Sequence, residues 1–316
     1  MPESCNIEVT NLCGIGTVKV IWKMPVESVE KYGNATEVVM SVSLNENSRV
    51  VDIVYELNNK VETPFVESGH FVFSLNARNA EYRIQKMGAV IDPAKDIQYG
   101  ANTSTYCCDK WMNVSDGDHS IAFFPKDTPL LSIGQNRIYI YSKDYKPEKP
   151  VLYWNAFNNQ WGTNFPQWIG GNFRYEYRIY PYKGLWNNAE ISKMAEEYAT
   201  PLCIIKEDSE YHLLYEAIEN ATVLCFKSAE DGNGHILRLI ENRGNSGEVW
   251  IKLTAGLGIY ALCDLLEKDI EMLKGTPREV IIKTAPFEVH TLRIRTCKIL
   301  STTNYLTSSQ KGCDIK

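Results

Sequence analysis

The 316-residue sequence predicts an all-β chain. Three observations carry that expectation. Short runs of β-branched and aromatic residues recur along its length, each closed by Asn, Asp, Gly or Pro. The segment Phe173-Arg174-Tyr175-Glu176-Tyr177-Arg178-Ile179-Tyr180 alternates with period two, as a half-exposed strand does. At most two stretches read convincingly as helix.

Residues 1–60 read as strands. The clearest are 17–23, 37–44 and 49–57, with turns at Asn45-Glu46-Asn47-Ser48 and Asn58-Asn59. Cys13-Gly14-Ile15-Gly16 lacks a following helical pattern, so it reads as a turn rather than a phosphate cradle. Residues 61–73 end in an alternating strand, and 81–140 stay β. Asp116-Gly117-Asp118-His119 lacks the later ligands of a calcium loop and reads as a hairpin turn. Asn188 to Tyr198 carries an Asn cap and apolar residues at 191, 194, 195 and 198, which is helical spacing ended by Pro201. Beyond it, 221–227 and 235–240 flank the hairpin signal Asp231-Gly232-Asn233-Gly234. Further strands are read at 248–253, 279–283 and 288–294, while 261–270 fits helix or strand equally. The expected division is a β domain over 1–184, a helical linker over 185–200 and a second β domain over 201–316.

Composition narrows the function classes. Hydrophobic content of 44% and charged content of 23% suit a globular chain. A net charge of −6 gives nucleic-acid binding no electrostatic support. No apolar run approaches the roughly 18–20 residues a membrane helix needs. The N-terminus, Met1-Pro2-Glu3-Ser4-Cys5-Asn6, has neither a basic nor an apolar leader region, so a cytoplasmic location is expected. Nine scattered cysteines without a CxxC read as reduced thiols. Sequons at Asn34, Asn102, Asn113 and Asn220 matter only in a secreted chain.

Residues 153–168, Tyr153 to Trp168, hold three Trp, two Phe and seven Asn, Gln or Thr, with no charge. Aromatic faces interleaved with amides suit a surface that stacks on apolar faces and hydrogen-bonds hydroxyls, as a sugar requires. The same composition suits a packed loop whose amides cap its own backbone. Glu67 and His70 could form an acid–base pair, or be polar residues at a strand start. No His/Asp cluster has zinc spacing.

Within this stretch, Asn158-Asn159-Gln160-Trp161-Gly162-Thr163-Asn164-Phe165 resembles the NNxWGTNF motif of glycoside hydrolase family 38, the α-mannosidase-like proteins. Further resemblances follow in the family's order: Glu67 to Phe73, Met87 to Pro93, and Asp127-Thr128-Pro129-Leu130 before Gly134. Near the end, Ile236 to Gly244 resembles "LRLxExxG", Leu265-Leu266-Glu267 resembles "DLLE", and Pro286 to Leu292 resembles "PFEIxTL". The resemblance spans roughly 18–297.

The resemblance implies most of a galactose-mutarotase-like supersandwich, then a smaller C-terminal β-sandwich. The family's N-terminal zinc-binding catalytic domain has no counterpart here. The expectation is therefore a non-catalytic β region, inactive alone, with no catalytic or metal residue and with zinc confined to the missing domain. Expected partners are a mannoside-type glycan and either a separate catalytic domain or a second copy, with neither nucleic acid nor membrane. Trp161 and Trp168 would offer stacking faces, and Asn158, Asn159, Gln160, Thr163 and Asn164 hydrogen bonds. The alternatives are a stand-alone carbohydrate-binding or interaction module, and a mutarotase-like epimerase using Glu67, His70 or His119.

Overall fold

The computed structural model describes residues 1–137, 140–159, 167–188, 190–201 and 214–296. They fall into two units, within Met1–Ile205 and Lys206–Lys316. Both are built of antiparallel sheets.

The first unit runs β1 (Ser4–Leu12), β2 (Ile15–Lys23), α1 (Val26–Tyr32), β3 (Glu37–Asn45), β4 (Val51–Lys60), β5 (Ser68–Ser74), β6 (Glu81–Lys86) and β7 (Ala89–Ile91). It continues with β8 (Tyr106–Cys107), β9 (Met112–Asp116), β10 (His119–Pro125), β11 (Leu130–Ile133), β12 (Val151–Asn158), β13 (Gly171–Lys183) and α2 (Ile191–Ala199). A nine-stranded sheet in the order β1-β2-β3-β4-β13-β10-β9-β6-β7 packs on a four-stranded sheet, β5-β12-β11-β8. Period-two alternation decides which side chains meet between them. Ile84, Met112, Phe123 and Tyr177 of the large sheet pack with Leu131, Leu152 and Trp154 of the small one, all fully buried.

Turn chemistry sets the registers. Cys13-Gly14 and Met87-Gly88 are two-residue hairpin turns with positive φ at both positions, 51° and 77°, then 52° and 84°. Asp92 follows the second hairpin and accepts the Ala94 N–H at 2.9 Å. Burial raises its carboxyl, but the Ala94 N–H, Lys95 and Arg83 together outweigh that and hold it below the ordinary value. Thr128 hydrogen-bonds the Tyr177 hydroxyl at 2.6 Å inside the core, while Asp127 accepts the Glu176 N–H at 3.1 Å. Motifs read as a set in the sequence are thus turns and inter-strand ties.

Two helical features differ from the sequence reading. Helix α2 starts after Glu190, which is left-handed with φ 52°, and Trp186–Asn188 forms a separate 3₁₀ turn. The Asn cap is therefore displaced. Segment 185–200, read as a helical linker, falls within the first unit, where Ile191 and Ala195 are buried and Lys110 pairs with Glu196 at 2.5 Å. Helix α1 escaped the reading, although Pro25 precedes it and left-handed Gly33 closes it with its N–H on the Val29 carbonyl.

The second unit comprises β14 (Tyr215–Glu219), β15 (Thr222–Ser228), β16 (His235–Ile240), β17 (Gly247–Leu253), β18 (Leu257–Cys263), β19 (Asp269–Met272), β20 (Glu279–Thr284) and β21 (Val289–Thr296). Sheets β14-β17-β20 and β15-β16-β21-β18-β19 form a smaller sandwich around Leu237, Leu239, Val249, Ile251, Leu292 and Ile294. Segment 261–270 resolves as strand, turn, strand. Asp264 Oδ1 accepts the Leu266 and Lys268 N–H groups there, each at 2.9 Å, which closes the turn.

Two buried charges hold the loops of this unit. Glu241 accepts backbone N–H groups from Arg243 (2.7 Å), Gly244 (2.8 Å), Asn245 (3.3 Å) and Phe287 (3.0 Å). Arg293 donates to Asp269 (2.7 Å), Asp231 (2.9 Å) and the carbonyl oxygens of Asn233 (2.8 Å) and Glu267 (2.6 Å). Each charge meets its hydrogen-bonding demand, which is the condition for burying it. The expected supersandwich followed by a smaller sandwich agrees with this architecture.

Candidate functional site

The site lies at one margin of the first unit, between β3 and β4 of the large sheet and β5 and β12 of the small one. A cavity of about 330 Å³ opens there, lined by Val38, Tyr55, Leu57, His70, Phe71 and Phe157 among others. Its floor is aromatic. Tyr55 and Phe71 stack with centroids 4.1 Å apart at 17°. Gly69 is needed for close approach, because a Cβ there would sit 2.3 Å from the Phe157 ring.

His70 stands on the rim. Its Nε2 lies 3.3 Å from Asn155 Nδ2, and its Nδ1 lies 3.4 Å from Asn136 Nδ2. Burial lowers its pKa, so the ring is neutral at neutral pH. Asn155 also donates to the Gly69 and Phe157 carbonyls, at 3.3 and 3.1 Å, where a bulge shifts the β12–β5 register.

Lys60 is buried below the rim. Its ammonium donates to the Glu67 carboxylate at 2.6 Å and to the carbonyls of Val61 (3.1 Å) and Gly33 (3.4 Å). Glu67 is therefore a counter-ion to Lys60, and among the described residues no hydrogen bond joins it to His70. His119 sits at the β9–β10 hairpin, on an exposed position opposite Lys183. The three side chains considered for epimerase chemistry are thus engaged separately. Among the described residues, no group of three or more His, Cys, Asp or Glu could hold a metal ion.

Asn158 and Asn159 adjoin this site. Asn158 ends β12 and donates to Asn155 Oδ1 at 3.0 Å. Asn159 accepts the Glu67 N–H at 2.8 Å and donates to the carbonyls of Thr63 (3.5 Å) and Phe65. Its amide thus caps the 63–67 loop. Trp168 is 51% exposed. Gln160, Trp161, Thr163 and Asn164 lie outside the described residues.

Lys60, Tyr55, Asn155 and Phe157 were not singled out in the sequence. A lysine after Asn58-Asn59 carries no local mark of burial. Asn155 and Phe157 stood in the aromatic–amide stretch, but the bulge that sets Asn155 against His70 and Phe157 against Gly69 is a pairing event. Sequon Asn113 is buried and accepts the Tyr182 hydroxyl at 2.7 Å, so the fold hides it. Cys5, Cys13, Cys107, Cys108, Cys225 and Cys263 are free thiols. Among the described residues no helix is long and apolar enough to cross a membrane.

Comparison with known proteins finds likeness in one domain and in the fold. Residues 220–292 match the glycosyl hydrolases family 38 C-terminal beta sandwich domain. An alpha-mannosidase from Enterococcus faecalis V583 aligns with 92% of this chain and 35% of its own, at TM-score 0.63 and 12% identity. A protein in glycosyl hydrolase family 38 from Enterococcus faecalis aligns with 92% of this chain and 36% of its own, at TM-score 0.64 and 13% identity. No curated protein sequence matches significantly. The chain spans about a third of the length of these two solved structures. Its second unit thus matches the family 38 C-terminal beta sandwich domain over 220–292, and the chain shares its fold with about a third of each of these two structures.

Proposed function

We propose that this chain is a non-catalytic β region of an α-mannosidase-like glycoside hydrolase, and that it helps to form a site for a mannoside-type glycan. The carrying observation is the match of 92% of the chain to about a third of family 38 structures, together with the family's β-sandwich domain at 220–292. The zinc of that chemistry would belong to a catalytic domain supplied separately.

The aromatic–amide segment would contact the glycan with Trp161 and Trp168 as stacking faces and Gln160, Thr163 and Asn164 as hydrogen-bonding groups. Asn158 and Asn159 would support it by fixing its first residues to β5 and the 63–67 loop. The free thiols support a reducing, cytoplasmic location. Thiol labelling of the protein in intact cells, without added reductant, tests that location.

Calorimetric titration of the purified chain with an α-mannoside tests the site. Binding that Trp168→Ala weakens at least tenfold, at unchanged melting temperature, is the expected result. Undiminished binding in both Trp161→Ala and Trp168→Ala overturns this placement.

A further inference from the structure

The large sheet of the first unit is wider than the small sheet that covers it. One cross-strand row shows this. Val9, Val18, Val42, Ile53 and Tyr177 stand side by side on β1, β2, β3, β4 and β13. Tyr177 is 0% exposed, Ile53 8%, Val18 40% and Val9 73%. The next row, Ile7, Val20, Met40, Tyr55 and Tyr175, ends on Ile7 at 62%. The opposite face of β1 and β2 is mostly polar at its centre, with Glu8, Thr10, Thr17 and Lys19, and carries Asn6 beside Ile21 and Leu12 beside Ile15 towards its ends. The apolar face of the core thus continues onto strands that no second layer covers among the described residues.

The rim of this sheet is also unprotected. Strand β1 ends the nine-stranded order, so among the described residues one row of its N–H and C=O groups has no partner strand. It pairs with β2 over nine residues without a bulge. It contains no Pro, Lys or Arg, and Glu8 is its only charge. Sheet edges are usually shortened, bulged, charged or covered. Among the described residues, β1 is neither bulged nor covered, and one carboxylate is its whole charge.

We infer that β1 is an interface between two copies of this chain, paired antiparallel about a two-fold axis at Ile7. The inference does not rest on the glycan reading. The strand's own sequence selects the occupant and the register. A two-fold at Ile7 sets Ile7 against Ile7 and Cys5 against Val9 on the apolar face. It sets Asn6 against Glu8 and Ser4 against Thr10 on the polar face, each pair occurring twice. A two-fold at Glu8 would oppose two carboxylates, and one at Val9 would oppose Ile7 to Asn11 and Asn6 to Leu12. Of these three registers, the first keeps like with like and avoids opposed like charges, and it pairs more of the strand than a two-fold at Asn6 would. Isologous pairing of this kind is the commonest form of homodimer.

Sedimentation of the full chain tests the interface. A species of twice the chain mass is expected, with amide exchange slowed along β1. Ile7→Lys opposes two like charges on the axis at a position already exposed, so it should give a folded monomer by circular dichroism. Val9→Cys places a thiol opposite Cys5 of the other copy and should crosslink to it on mild oxidation, as mapped by mass spectrometry. A monomer at every concentration, a dimer that survives Ile7→Lys, or crosslinks that do not join positions 5 and 9 of two copies would each overturn the proposal.

Discussion

Asn159 and Glu67 hold each other reciprocally: the Asn159 side chain accepts the Glu67 N–H at 2.8 Å, and the Asn159 N–H donates to the Glu67 carbonyl at 3.2 Å. With the Lys60–Glu67 ion pair, this tie anchors the 63–67 loop against the end of β12. Asn159→Ala leaves the Glu67 N–H and the Phe65 carbonyl short of partners. We expect a loss of about 2 kcal/mol in denaturant unfolding, the usual cost of orphaning part-buried polar groups. A loss below about 0.5 kcal/mol would show that solvent satisfies these groups instead.

Glu241 is the corresponding device in the second unit. Its carboxylate gathers four backbone N–H groups from two loops. Glu241→Gln keeps the shape but exchanges one accepting oxygen for a donor that faces N–H groups. A destabilisation of about 3 kcal/mol is expected, since hydrogen bonds to a charged group outweigh neutral ones. Chemical denaturation followed by Trp250 fluorescence would measure it. An unchanged midpoint would remove Glu241 from the account of the fold.

The two partly buried histidines predict a pH dependence. Burial lowers the pKa of His70 and also that of His290, so the unfolded chain binds these protons at higher pH than the folded chain. Stability is then full above the unfolded value near 6.5 and falls as pH drops through the folded values. His70→Gln should flatten the decline between about pH 6.5 and 5 for the first unit. Thermal melts at closely spaced pH values decide this, and a decline identical to that of the parent chain would contradict it.

Much of this fold was legible because strands and turns are local events. Strands 235–240 and 248–253 and the hairpins at Cys13-Gly14 and Asp116–His119 follow from alternation and from turn residues that accept positive φ. Other features depend on residues distant in sequence. Lys60 is buried only because β13 and the 63–67 loop surround its strand end, and nothing adjacent to it marks that fate. Leu265 and Leu266, in a stretch that fits helix or strand equally, stand on a turn at 63% and 76% exposure. The site was legible as a stretch rather than as roles. Its amides were foreseen as either sugar contacts or backbone caps, and Asn159 serves as a cap.

Trp161→Ala separates packing from recognition within the aromatic segment. If the indole stacks on a glycan, affinity falls while the melting temperature holds. A drop of several degrees with unchanged affinity would make the residue a packing element, given that about 1 kcal/mol shifts the melting point of a large domain by about 2–4 °C.

The proposed function makes these residues a β region without its own catalytic centre. Hydrolysis of an aryl α-mannoside by the purified chain, with and without added zinc, tests it most directly. No turnover above the uncatalysed rate is expected in either condition. Turnover that persists through repurification and scales with chain concentration would place an active site within these residues and contradict it.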